Sequence, residues 1–186
     1  MSNPLEMLEV VDENDNVIDL ENRLRIHQEG LLHREIHIWF ITPNGEIILQ
    51  HRSKNKDTNA DKLDATVGGH VEPGMSYEAT AIKECKEETG INIDPGNLAF
   101  LGKVHRKSFD NVKNLTNNVI RCQYGYLYTD SISDLKIEEG SSEGFETWKI
   151  DNLSKLSDED KDKFLSFIYS DEMLNLFKKA KELLIK

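Results

Sequence analysis

Residues 68–91 read GGHVEPGMSYEATAIKECKEETGI, a glycine-rich turn followed by a short stretch loaded with carboxylates. The Pro and Gly of VEPG forbid helix before Ser76, Ser76 is a suitable N-cap, and Gly90 suits the position just past a helix end. The spacing therefore predicts a helix over Tyr77–Thr89, about three and a half turns long. On it Glu84, Glu87 and Glu88 stand at i, i+3 and i+4 and share one face, while Ala81, Ile82 and Cys85 turn toward a core. Like charges at that spacing repel by roughly 1 kcal/mol per pair in water and by more where the site is desolvated. A divalent cation is the natural compensator, and hard oxygen ligands select Mg²⁺ or Mn²⁺. The plain alternative is a solvated acidic face offset by Lys83 and Lys86, the usual fate of a charge run on a helix. The glycine turn at a fixed distance before the cluster favours the cation.

Outward from this stretch, residues 63–67 (LDATV) read as a short strand feeding Gly68-Gly69, where the lack of side chains lets a backbone carbonyl approach a metal. Residues 33–41 (HREIHIWFI) and 46–50 (EIILQ), separated by Pro43-Asn44-Gly45, predict a hairpin that buries several of Ile36, Ile38, Phe40, Ile47 and Leu49. Residues 8–11 and 17–18 flank a turn-rich DENDN and predict an N-terminal hairpin within residues 1–25, with 23–32 an ambiguous connection. Beyond the acidic helix, 98–105 and 118–128 read as strands, with the basic stretch 106–113 between them as a surface loop. A last strand is expected at 143–150, and two amphipathic helices over 157–186, the first carrying Phe164, Phe167 and Ile168. Those helices cap the fold or offer a homodimer face.

With 186 residues, 38% of them hydrophobic, the chain suffices for one domain of ordinary size spanning 1–186. A formal net charge of −11 argues against a nucleic-acid or anionic-membrane surface and leaves room for a small phosphorylated ligand. Cys85 and Cys122 are the only cysteines and do not share a metal-ligand spacing, and the first residues carry neither a basic n-region nor a long apolar run. The expectation is a reduced, cytoplasmic setting. Against the acidic background, the loop 51–56 (HRSKNK) is basic, and Arg52, Lys54 and Lys56 are candidate phosphate partners.

The segment resembles the Nudix box, G-x5-E-x7-R-E-U-x-E-E-x-G-U with U a bulky apolar residue. From Gly69 through Ile91 it fits at Gly69, Glu84, Glu87, Glu88, Gly90 and Ile91, with Cys85 at an apolar position. Two positions depart: Met75 stands where the pattern has Glu and Lys83 where it has Arg, which reads as one paired structural change that avoids an orphaned charge. The resemblance implies a Nudix α/β/α sandwich with a mixed β-sheet, the box as loop–helix–loop over 69–91, and a metal held by Glu84, Glu87, Glu88 and the carbonyl of Gly68. Glu84, Glu87 and, from the last strand, Glu143 are the candidate catalytic bases.

Through LLHREIHIWF, LQHRS and GGHV the chain also resembles the isopentenyl-diphosphate isomerase-like branch. There a cysteine before a Gly-His pair supplies the acid, and three histidines bind a metal. Gly68 stands in the cysteine's place here, while His27, His33 and His70 approximate the histidines, with the first spacing one residue short. The resulting expectation is a metal-dependent hydrolase of a nucleoside diphosphate or other organic diphosphate. Its alternatives are an isopentenyl-diphosphate isomerase-like enzyme, which the missing cysteine disfavours, and a catalytically weak metabolite-binding module, which the retained carboxylates disfavour.

Overall fold

In the computed structural model, which describes residues 6–55, 59–137, 140 and 142–185, the sheet is built around one strand. β3 (His33–Ile41) is buried at every position from 36 to 41, as a strand covered on both faces requires. One of its edges pairs in parallel with β8 (Leu115–Leu127), from His33↔Val119 to Ile41↔Leu127. The other edge is shared in turn by three strands: β1 (Met7–Val11) at His33, β6 (Val67–His70) along residues 35–38, and β4 (Glu46–Arg52) at Phe40 and Ile41. β4 then leaves β3 and runs with β5 (Leu63–Asp64) and β9 (Ser142–Lys149), so the sheet forks where β6 enters. Thr66 secures the fork: its Oγ1 accepts the Phe40 N–H at 2.9 Å and donates to the Ile48 carbonyl. β7 (Ala99–Asp110) lies antiparallel to β8, and β2 (Val17–Asn22) antiparallel to β1.

Strand alternation sends the two faces of the sheet into different layers. Ile36, Ile38, Phe40, Ile48 and Cys122 pack with Ala81 and Cys85 of helix α2 (Tyr77–Thr89). Trp39, Ile41, Ile47 and Leu49 face the other way, onto Phe164, Ile168, Met173 and Phe177 of the C-terminal segment. Each buried Ile, Leu, Met or Phe among them stabilises the fold by about 1.5–3 kcal/mol, and the result is an α/β/α sandwich with a mixed sheet. The expected limits of α2 hold. Ser76 Oγ accepts the Ala79 N–H at 3.1 Å, and Gly90 adopts φ 76° while donating to the Lys86 carbonyl. Ahead of the helix, Glu72-Pro73-Gly74-Met75 closes a turn in which Gly74 has φ 78° and the Met75 N–H donates to the Glu72 carbonyl at 3.0 Å, the type II geometry.

The expected N-terminal hairpin is present as β1–β2, and its tip is tied to the box. Arg34 donates to Asp15 at 2.7 Å and Glu9 at 3.1 Å, and the Tyr77 hydroxyl at the start of α2 donates to Asp15 at 3.0 Å. Four expectations need correction. Residues 23–29 form helix α1 (Arg23–Glu29), because Asn22 caps it by accepting the Leu24 N–H and Gly30 ends it at φ 66°. Residues 106–110 are not loop but extend β7, since cross-strand pairs such as Lys107↔Asn118 and Phe109↔Thr116 continue on a hairpin that is solvated at this end. The strand expected over 63–67 is broken at Ala65 and Thr66, where Thr66 turns to the fork.

The fourth correction is the first C-terminal helix. It is reduced to one turn, α3 (Asp158–Lys161), and a 3₁₀ turn at Ser166–Tyr169; only α4 (Asp171–Leu184) is a full helix. Around Phe164 the chain runs extended beside Leu63 instead, with the Leu63 N–H donating to Lys163 and the Leu165 N–H to Leu63. Among the described residues, no helix is long and apolar enough to cross a membrane.

Candidate active site

The site is organised by the two glycines of β6, which the pleat turns to opposite faces. A Cβ on Gly69 would stand 2.7 Å from Cγ and Cδ of Glu84, so only bare backbone lets that carboxylate lie on the strand. On the other face, a Cβ on Gly68 would stand 3.2 Å from the His37 ring. Glu84 is mostly buried, 17% exposed at its side chain. Burial, reinforced by the Glu87 charge and only partly opposed by Lys83, pushes its carboxyl up to about 7. Glu88, 8% exposed, accepts from Gln50 Nε2 at 3.1 Å. Glu87 is half exposed and lies 3.0 Å from Lys83 Nζ.

Lys83 shows how the box keeps its loop fastened despite the two departures from the pattern. Its ammonium lies 3.0 Å from Glu72 and from Glu87, and 3.6 Å from Glu84. Burial works against the charged form, but Glu72 and Glu87 outweigh it and hold the ammonium well above the usual lysine range. The loop carboxylate is thus supplied at position 72, while Met75 packs into the core beneath α2. The cation at 83 thus has carboxylate partners without one at position 75.

Of the three box carboxylates, Glu84 and Glu87 both approach the Lys83 ammonium, at 3.6 and 3.0 Å, while Glu88 is turned to Gln50. Among the described residues, the group of three His, Cys, Asp or Glu whose ligand atoms all lie within 4.8 Å of one another is His27, His33 and His70. His27 Nδ1 faces the Thr116 carbonyl at 3.3 Å and His33 Nδ1 the Leu31 carbonyl at 3.0 Å. Nδ1 of each is therefore the protonated nitrogen, which leaves Nε2 as the ligand atom. His33 Nε2 is buried without a partner. Burial holds His33 at about 4 and His70 well below the ordinary histidine value, so both rings are neutral near pH 7, as metal ligands must be.

Of the basic loop, Arg52 is committed to Asp64 at 3.0 Å and the Asn59 carbonyl at 3.1 Å. Lys54 is exposed, and its backbone N–H donates to Glu143 at 3.4 Å, which places Glu143 of β9 beside this loop. Lys56 lies outside the described residues. Sequence reasoning missed a row of polar side chains on the face of β3 and β8 turned away from α2. Arg121 donates twice to one oxygen of Glu35, at 2.8 and 2.6 Å. Burial would raise the Glu35 carboxyl, yet Arg121 holds it at about 2. His37 and Gln123 are register neighbours beyond that pair. The available signal was a histidine and a glutamate inside an otherwise apolar strand, since buried polar residues are the informative exceptions.

The architecture is that of a Nudix-fold α/β protein, and comparison with known proteins agrees. The chain belongs to the NUDIX domain family, whose match runs over residues 31–168. It is 28% identical over 158 residues to an uncharacterised Nudix hydrolase of Clostridium acetobutylicum, covering 82% of this chain and 74% of that protein. It is 29% identical over 154 residues to an isopentenyl-diphosphate Δ-isomerase of Serratia proteamaculans, covering 83% and 80%. Its fold is similar to the crystal structure of a Deinococcus radiodurans protein, with a TM-score of 0.66 at 20% identity over 94% of this chain and 99% of the other.

Proposed function

We propose that the protein is a divalent-metal-dependent hydrolase that cleaves the diphosphate bond of a nucleoside diphosphate or other organic diphosphate. The observation that carries this reading is Glu84, a carboxylate laid against the bare backbone of Gly69, whose burial outweighs the Lys83 charge and pushes its carboxyl up to about 7. A site short of positive charge and furnished with carboxylates fits Mg²⁺ or Mn²⁺. Glu84, Glu87, Glu88 and the Gly68 carbonyl would hold the cation, which when bound neutralises diphosphate charge and acidifies water. Glu84 or Glu87 of the box, or Glu143 from β9, would take the proton of the attacking water. Lys54 and Lys56 would meet the outer phosphate; Arg52, tied to Asp64, would orient that loop. His27, His33 and His70 would hold a second ion of the kind that prefers imidazole nitrogen.

The isomerase reading is weaker, although a relative bears that name. Isomerisation needs an acid beside the alkene, and the space a side chain at 68 would use lies against His37, whose ring burial and the Arg121 charge keep neutral. Neutral imidazole does not protonate an alkene. The test is a panel of nucleoside diphosphate sugars, dinucleoside polyphosphates and isoprenoid diphosphates with Mg²⁺ or Mn²⁺. The expected result is metal-dependent release of a phosphorylated product, reduced at least 100-fold by Glu88→Gln, without deuterium uptake into isopentenyl diphosphate. Solvent deuterium in the recovered isoprenoid would overturn the assignment.

A further inference from the structure

Gln50 is a buried amide at a strand position whose neighbours are apolar. Alternate residues of β4 face α2: Ile48 packs into that core, and Gln50 follows it on the same face, 5% exposed. Its cross-strand neighbour on β9 is Phe145, which packs against the same core. A polar group so placed is costly unless it is hydrogen-bonded. The partner is Glu88, 8% exposed in the last turn of α2, whose Oε2 accepts from Gln50 Nε2 at 3.1 Å. The bond has one chemical sense, because an ionised carboxylate only accepts and the amide must therefore turn its NH₂ group to it. The donor is also neutral, unlike the Lys83 ammonium that Glu84 and Glu87 approach. A neutral amide orients a carboxylate without cancelling the charge that a cation would use.

We infer that Gln50 is a positioning residue for the metal site: by holding one oxygen of Glu88 it fixes the plane of that carboxylate, and thereby favours Mg²⁺ over Ca²⁺. This rests on the proposed hydrolase reading, in which Glu88 is a ligand, and adds to it a residue outside the box. Mg²⁺ demands near-octahedral oxygen ligands at about 2.0–2.1 Å, whereas Ca²⁺ accepts them at about 2.3–2.6 Å in variable geometry. A glutamate released to change rotamer therefore still serves Ca²⁺ but serves Mg²⁺ poorly. Removing a hydrogen bond that orients a metal ligand typically costs about 10–100-fold in metal affinity.

The test is titration calorimetry of the full chain with Mg²⁺ and, separately, with Ca²⁺, two cations that prefer oxygen ligands to the imidazoles of His27, His33 and His70. Gln50→Met keeps the reach of the side chain and removes the donor, while Gln50→Asn keeps the amide and withdraws it by one methylene. Each should weaken Mg²⁺ binding about tenfold or more and Ca²⁺ binding by less than about threefold. In a Glu88→Gln background neither should move the Mg²⁺ to Ca²⁺ ratio further, as expected of a residue that acts through Glu88. Ile48→Val, which thins the same core without touching a polar group, should leave the ratio unchanged. A ratio taken within one variant is indifferent to the folded fraction, so a poorly folded variant still reports. An unchanged ratio in both Gln50 variants, an equal shift in the Glu88→Gln background, or a matching shift in Ile48→Val overturns the positioning role and leaves the hydrolase reading intact. Failure of the unaltered protein to bind either cation overturns both.

Discussion

Glu84 offers the sharpest test of the metal site, because its charge can be removed at constant shape. In the metal-free protein its carboxyl sits at about 7, against 4.5 for an ordinary glutamate. Between those values the folded chain holds a proton that the unfolded chain has released, so stability falls as pH rises from about 4.5 to about 7 and is flat above. The gap corresponds to about 3 kcal/mol. Glu84→Gln abolishes this loss at the cost of a weak contact with the partly exposed Lys83, 3.6 Å away. In EDTA at pH 8 the variant should therefore melt about 6–12 °C higher than the unaltered protein, taking about 2–4 °C per kcal/mol for a chain of this size. At pH 4.5 the two should melt together. Saturating Mg²⁺ or Mn²⁺ should erase or reverse the difference at pH 8, since only the carboxylate gains from the cation. Coincident melting at pH 8 in EDTA would refute the argument that this carboxylate is short of positive charge. A difference that survives saturating metal would refute its role as a ligand.

Two further expectations follow from the same geometry. Lys83→Met and Glu72→Gln should each cost about 0.5–1 kcal/mol in urea denaturation and show coupling in a double-mutant cycle, whereas Met75→Glu should show none with Lys83→Arg beyond error; the opposite pattern would support the paired-change reading. His33→Ala should abolish one equivalent of tightly bound Zn²⁺ or Mn²⁺ measured by elemental analysis after dialysis, with box-dependent hydrolysis retained, and an unchanged metal content would remove the histidine trio from consideration.

How far the fold could be read depended on whether a pattern was local. The α2 limits were legible because Ser76 and Gly90 act on their own neighbours, and the β3–β4 hairpin because Pro43-Asn44-Gly45 forces a reversal between two apolar runs. The 3₁₀ turn at 166–169 was not legible. Phe164, Phe167 and Ile168 have helical spacing, but the backbone there is claimed by Leu63, about a hundred residues earlier. The outer end of the β7–β8 hairpin failed for a related reason: Lys107, Ser108 and Phe109 of β7 are all exposed, so no buried alternation marks the strand. At the site, the box carboxylates were visible as a pattern, but their partners were not. Gln50 and Glu72 meet Glu88 and Lys83 only through tertiary structure.

The consecutive glycines let one short strand meet a close neighbour on each of its faces. Because successive residues of a strand address opposite faces, Gly69 belongs to the layer of α2 and Gly68 to the layer of His37 and Gln123. A side chain at 69 would push Glu84 off the strand, and one at 68 would press on the imidazole, so each glycine is required by a different neighbour. β6 pairs with β3 along one edge, and Gly68 is exposed.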